Sequence, residues 1–122
     1  YPGSGERHER GAHGNVANAP LPPGSGSREF RQAWERDLLP AIAEFKPDLL
    51  IVSAGFDAHM ADPLAQLRLE AEDYAWLTGE LAALAERQCQ GRIVSSLEGG
   101  YDLAALAESA VGHVKALNRS ID

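Results

Sequence analysis

Two short segments carry the residues best suited to chemistry. Ser53-Ala54-Gly55-Phe56-Asp57-Ala58-His59 and Leu97-Glu98-Gly99-Gly100-Tyr101 each close a run of strand-forming residues. Asp57 offers a carboxylate and Tyr101 a phenol, while Gly55, Gly99 and Gly100 let a ligand approach the main chain closely. This combination suits a metal-assisted acyl-transfer site, in which Zn²⁺ polarises a carbonyl and activates water while a neutral tyrosine hydroxyl bonds the developing oxyanion. Plainer readings stand beside it. An Asp just past a strand is also a turn or helix cap, Tyr101 is also a half-buried core aromatic, and one Asp-x-His pair does not define a metal site.

The remaining reactive side chains point to structure. His8 and His13 sit in a charged loop, and His113 lies beside the apolar stripe of a helix, where a hydrogen-bonded structural histidine is expected. Cys89 falls near a helix end with no neighbouring base to activate a thiol, so packing is its expected role. The triplets Gly3-Ser4-Gly5 and Gly24-Ser25-Gly26 lack the spacing and following Lys of a phosphate-binding loop.

The positioning elements follow from periodicity. Residues 1–27 are rich in Gly and Pro and read as loop, with one short strand expected over Asn15 to Leu21 before Pro22-Pro23-Gly24. Phe30, Trp34, Leu38, Ile42 and Phe45 recur at steps of three and four and predict a helix kinked at Pro40 and ended by Lys46-Pro47. Leu49 to Ala54 is a continuous apolar run of strand length, as in a parallel strand covered on both faces. Tyr74, Leu77, Leu81 and Leu84 predict a second helix closed by Gly91, and Arg92 to Leu97 another strand. Asp102 is placed to cap a last helix whose buried face is read as Leu103, Leu106, Ala110, Val114 and Leu117. The order βαβαβα predicts an α/β fold with a parallel sheet, residues 28–122 running helix-strand-helix-strand-helix. Parallel strands would bring both chemical segments to one sheet edge, where such folds gather function.

Composition bounds what remains. The 122 residues carry 11 Lys and Arg against 18 Asp and Glu, a formal charge of −7, which disfavours direct nucleic-acid binding. A lone cysteine excludes an internal disulfide and is compatible with a reducing, cytoplasmic setting. The longest apolar stretch, Leu49 to Phe56, is far short of the roughly 20 residues that span a bilayer, so no membrane partner is expected.

Taken in order, Ser53-Ala54-Gly55-Phe56-Asp57-Ala58-His59, Asp62-Pro63-Leu64 and Glu98-Gly99-Gly100-Tyr101 resemble the histone deacetylase family, most closely its class II and bacterial amidohydrolase branch, which includes the acetylpolyamine amidohydrolases. The likeness runs from Tyr1-Pro2-Gly3-Ser4-Gly5 through Asn18-Ala19-Pro20-Leu21-Pro22-Pro23-Gly24 to the helix start at Asp102-Leu103-Ala104-Ala105. It implies zinc-dependent hydrolysis of acetylated lysine or acetylated polyamines on a three-layer arginase-deacetylase parallel sheet, of which this is the C-terminal part. By motif position, Asp57 matches a zinc ligand and Tyr101 the tyrosine that polarises the substrate carbonyl. Gly99 and Gly100 match glycines beside the acyl-lysine channel, and Leu64 and Tyr1 match residues that line it. His59 belongs to the class II form of the motif and is not a ligand.

One departure matters. The family's remaining zinc ligands come from an Asp-x-His motif and its water-activating base from a His-His pair. The His-His pair is absent from this sequence, and its one Asp-x-His is Asp57-Ala58-His59 itself. A single inherited carboxylate does not make a tight zinc site, so the chain alone is expected to be inactive. Self-association through the open sheet edge is also expected. The alternative class is a non-catalytic deacetylase-like binding or assembly module, and a weaker one a small doubly wound ligand-binding domain unrelated to zinc.

Overall fold

A computed structural model describes residues 3–64 and 66–118. Its elements run α1 (Ser27–Ala33), a π-helical turn (Trp34–Leu38), α2 (Leu39–Phe45), β1 (Leu50–Ala54), α3 (Ala71–Cys89), β2 (Ile93–Leu97) and α4 (Leu103–Asn118). The two strands pair in parallel, from Leu50 opposite Ile93 to Ala54 opposite Leu97, with α3 as the crossover. The α/β reading of 28–118 holds.

The expected strand over Asn15–Leu21 does not form. Among the described residues no strand edge meets it, and Pro20, Pro22 and Pro23 have no N–H to give to a ladder. The loop is ordered by other means. The Asn18 amide donates to the Glu6 and Glu9 carbonyls, Arg7 pairs with Asp37 at 2.6 Å, and Arg68 N–H donates to the Ser25 carbonyl at 2.9 Å.

Pro40 breaks the first helix by a π turn. Proline has no N–H for the Arg36 carbonyl, and the chain inserts an extra residue ahead of it, with the Leu39 N–H reaching Trp34 O. The insertion shifts the apolar face, and Phe45, the last residue of the expected apolar stripe, is 75% exposed. Asp73 ties this helical arm to α3: its carboxylate accepts from Ser27 Oγ at 2.6 Å, Arg31 Nε at 2.9 Å and the Glu70 N–H at 3.0 Å. Burial pushes the Asp73 carboxyl up, and those three donors together with the Arg31 charge more than reverse it, leaving it below its usual range.

At the other end of α3, the Gly91 N–H closes the helix on Ala85 O at 3.0 Å. Helix α4 begins as expected, with Asp102 Oδ1 accepting the Ala105 N–H at 2.9 Å. Its buried stripe differs from the one read from apolarity. Ala105, Ser109 and His113 are buried, whereas Leu103 and Val114 are 80% and 53% exposed. The cause is the close approach of α4 to α3, where a Cβ at Gly112 would stand 3.4 Å from Ala75 Cβ: small side chains take the interface and larger ones turn away.

The core centres on Phe56, 4% exposed, with Ala54, Leu69 and Tyr74. The Phe56 ring meets Tyr74 edge-on at 5.1 Å and His113 at 5.7 Å. His113 is structural, as expected: Nδ1 lies 2.6 Å from Thr78 Oγ1 and Nε2 2.7 Å from Ser95 Oγ, tying α3, α4 and β2 together. Only one sheet face is covered, for Ile51 and Val94 on the other are 72% and 56% exposed. The apolar run in β1 reads as a two-sided strand, but the helices of this chain pack on one side. Cys89 is buried and free, and among the described residues no helix is long and apolar enough to cross a membrane.

Burial holds the His113 imidazole below its usual pKa. The unfolded chain therefore takes up a proton near pH 6.5 that the folded chain refuses, so stability rises with pH through that window and falls as the pH drops. The thermal midpoint is expected to decline from about pH 7.5 to about pH 5.5, and His113→Gln to flatten that slope. A wild-type midpoint that does not change over this range would remove the assignment.

Candidate active site

The ladder does not stop where the strands do. Glu98 N–H donates to Ala54 O at 2.9 Å and Phe56 N–H to Gly99 O at 2.9 Å, carrying the pairing one step into both loops. This brings the two chemical segments together at the carboxyl ends of β1 and β2. With Phe56 anchored in the core, Asp57 is turned onto the facing loop, and a Cβ built on Gly99 would lie 3.2 Å from Asp57 Cγ and from both its oxygens. A Cβ on Gly55 would stand 3.1 Å from Oδ1. The carboxylate thus rests on bare backbone, in space that a side chain at 99 would invade.

Gly100 has a different reason to be glycine. Its φ is +130°, and a Cβ there would come within 2.9 Å of Leu106 Cδ1 and 3.3 Å of Phe56 Cβ. Tyr101 follows and is 58% exposed in this chain, outside the core built around Phe56. Leu64 is also exposed, at 67%. Tyr1 lies outside the described residues.

A residue with no assigned role links Leu64 to Tyr101. Asp62 is 5% exposed, and its carboxylate accepts three backbone N–H groups: Leu64 at 2.9 Å on Oδ1, and Tyr101 at 2.7 Å and Asp102 at 3.3 Å on Oδ2. The Leu64 bond lowers its carboxyl below the ordinary range, burial works against this, and the Tyr101 and Asp102 bonds and the nearby His59 add to the lowering. The local half, an Asp accepting from the amide two residues on, is a turn signature that Asp62-Pro63-Leu64 carries in sequence. The bonds across some forty residues have no such signal.

His59 is spent within its own loop. Its Nδ1 accepts the Ala61 N–H at 3.1 Å, and the loop is closed at its base by Leu69 N–H to Ala58 O at 3.1 Å and Met60 N–H to Leu69 O at 2.9 Å. Behind Asp57 lies the hydroxyl of Tyr74, buried and facing the Ala58 backbone without reaching hydrogen-bond geometry. Burial raises the Tyr74 phenol, with the Asp57 charge adding to the effect, so it stays neutral.

As a metal ligand, Asp57 fits in part. It presents a hard oxygen donor seated against the backbone of Gly55 and Gly99. No group of three or more His, Cys, Asp or Glu among them converges to complete a site, whereas a catalytic zinc takes three protein ligands. Asp57 suits one position of such a set.

The arrangement matches known proteins over almost its full length. The family model of the histone deacetylase domain covers residues 1–117. The chain belongs to the histone deacetylase family. It is 42% identical over 120 residues to histone deacetylase 14, chloroplastic, of Arabidopsis thaliana, covering 96% of this chain and 28% of that protein. It is 39% identical over 104 residues to the histone deacetylase-like amidohydrolase of Pseudomonas aeruginosa, covering 85% of this chain and 27% of the relative. The solved HDA15 HD domain superposes with a TM-score of 0.86 at 36% identity, over 96% of this chain and 33% of that one. The histone deacetylase family so identified is one of hydrolases, and the chain spans about a third or less of the length of these members.

The two glycines differ in what substitution should do. Gly100→Ala forces a side chain into a left-handed backbone against Leu106 and is expected to cost about 2 kcal/mol. Gly99→Ala meets only the Asp57 side chain, at 3.2 Å, a contact that a shift of a few tenths of an ångström relieves, and is expected to cost less than about 1 kcal/mol. Urea unfolding of the two variants checks the ranking, and equal losses would contradict it.

Proposed function

We propose that this chain forms the C-terminal part of a zinc-dependent deacetylase domain that hydrolyses the amide of acetylated lysine or of an acetylated polyamine. The observation that carries the reading is the extension of the parallel ladder through Phe56 and Gly99, which seats the Asp57 carboxylate on the loop that bears Tyr101. When bound, zinc supplies Lewis-acid polarisation of the scissile carbonyl and of the attacking water. Asp57 is the ligand this chain contributes, and its glycine seat fixes where that ligand points.

The rest falls to the chain's own groups. The Tyr101 hydroxyl donates a hydrogen bond to the carbonyl oxygen, and the bond strengthens as negative charge builds there. Gly99 and Gly100 give the acyl chain a wall of backbone with no side chain to obstruct it, and Leu64 supplies an apolar wall that excludes water. Tyr1 belongs to the same channel by motif position. The remaining ligands and the base that takes the water proton come from outside this chain, which by itself is inactive.

Substitution in the complete deacetylase separates the two roles. Tyr101→Phe is expected to lower turnover by about 100-fold or more with zinc content unchanged, in the range of losing one oxyanion donor. Asp57→Ala is expected to lose zinc in dialysis against a weak chelator, and activity with it. Turnover in Tyr101→Phe equal to wild type would end the assignment of Tyr101.

The isolated chain is also proposed to self-associate. The sheet has two strands with an unpaired edge on each side, and Ile51 and Val94 expose an apolar face beside them. Light scattering after size exclusion at micromolar concentration is expected to give more than the monomer mass, and a monodisperse monomer would count against it.

A further inference from the structure

We infer that Asp62 is a positioning residue that holds the channel wall and the carbonyl-activating tyrosine as one unit, an inference that rests on the proposed role of Tyr101. The need arises from what surrounds Tyr101. It follows two glycines, the second at φ +130°, so the segment that carries the phenol has little conformational restraint of its own. That backbone is fixed at three points: Gly99 O by the Phe56 N–H, Asp102 by its cap on Ala105, and the Tyr101 N–H by Asp62.

Asp62 is the only one of the three that reaches in from the 58–69 loop. Oδ2 takes the Tyr101 N–H at 2.7 Å and the Asp102 N–H at 3.3 Å, while Oδ1 takes the Leu64 N–H at 2.9 Å. One buried carboxylate thus joins the backbone of Leu64 to that of Tyr101, both assigned above to the acyl channel. Both of its oxygens accept, and every partner is a donor. Asparagine cannot replace it, because one of its two positions would turn an NH₂ toward an N–H. The spacing of Leu64 and Tyr101 then depends on a group that touches no substrate. Misplacing a reacting group by about 1 Å is enough to lose on the order of 100-fold in rate.

The test uses the complete deacetylase with Asp62→Asn, Tyr101→Phe and the double variant. Asp62→Asn is expected to lower kcat by about 10- to 100-fold, with KM within about threefold and zinc content unchanged. In the Tyr101→Phe background the same substitution is expected to change kcat by less than about threefold, since the group it positions is gone. Equal losses in both backgrounds overturn the inference. So does an Asp62→Asn enzyme with normal kcat when Tyr101→Phe is impaired, whereas normal turnover in Tyr101→Phe overturns the underlying role instead. Should Asp62→Asn fail to fold or bind zinc, amide hydrogen exchange on the unaltered enzyme decides. The Tyr101 amide, on an exposed residue, is expected to exchange at least about 100-fold more slowly than an open loop amide, and exchange at the open rate overturns the inference.

Discussion

Two backbone hydrogen bonds past the end of a two-stranded sheet govern what this chain can do. Glu98 to Ala54 and Phe56 to Gly99 extend a parallel ladder into segments that would otherwise be loops, and they turn sequence neighbours of the strands into spatial neighbours of each other. Phe56 is held twice, by its amide on Gly99 and by its ring between Tyr74 and His113. The next residue, Asp57, therefore inherits a fixed origin. The bare backbone of Gly55 and Gly99 does the rest, since a Cβ at either would crowd the carboxylate at 3.1–3.2 Å and push it aside.

The remainder of the structure supports that junction. His113 spreads its two nitrogens over hydroxyls from α3 and β2, which locks the helix pair against the sheet face below Phe56. Asp73 performs a similar service for the helical arm, collecting donors from α1 and from the start of α3. Both are polar groups inside a small core, and both are satisfied on every side that matters, so they tie particular elements together where apolar packing alone would not.

Much of this was legible in the sequence because the signals were local. The β1 run, the Asp102 cap and the Gly91 stop depend on residues within a few positions of one another, and each stands where the pattern put it. The motif segments placed Asp57 past the first strand and Gly99, Gly100 and Tyr101 past the second, and the structure brings those two segments together. What was not legible depended on partners. A strand at Asn15–Leu21 needs an edge to pair with, and the buried face of α4 is chosen by how closely α3 approaches, which places Ala105 and Ser109 inside and Leu103 outside. The π turn is intermediate: Pro40 announces a break but not the extra residue that absorbs it. Asp62 was half legible, for a turn-forming Asp declares its bond to Leu64 and says nothing of Tyr101.

The exposure of the Tyr101 ring has a consequence for the history of such a chain. The main chain at this position is bound on both sides, while the phenol contributes little to the packing that holds the fold. On the role proposed for Tyr101, folding of this chain and its chemistry place separate demands on the position, and loss of the ring would silence a copy without unfolding this chain. Asp62 and Gly100 have no such latitude, because their loss disturbs the backbone itself, and in a silenced copy they should outlast the residue they surround.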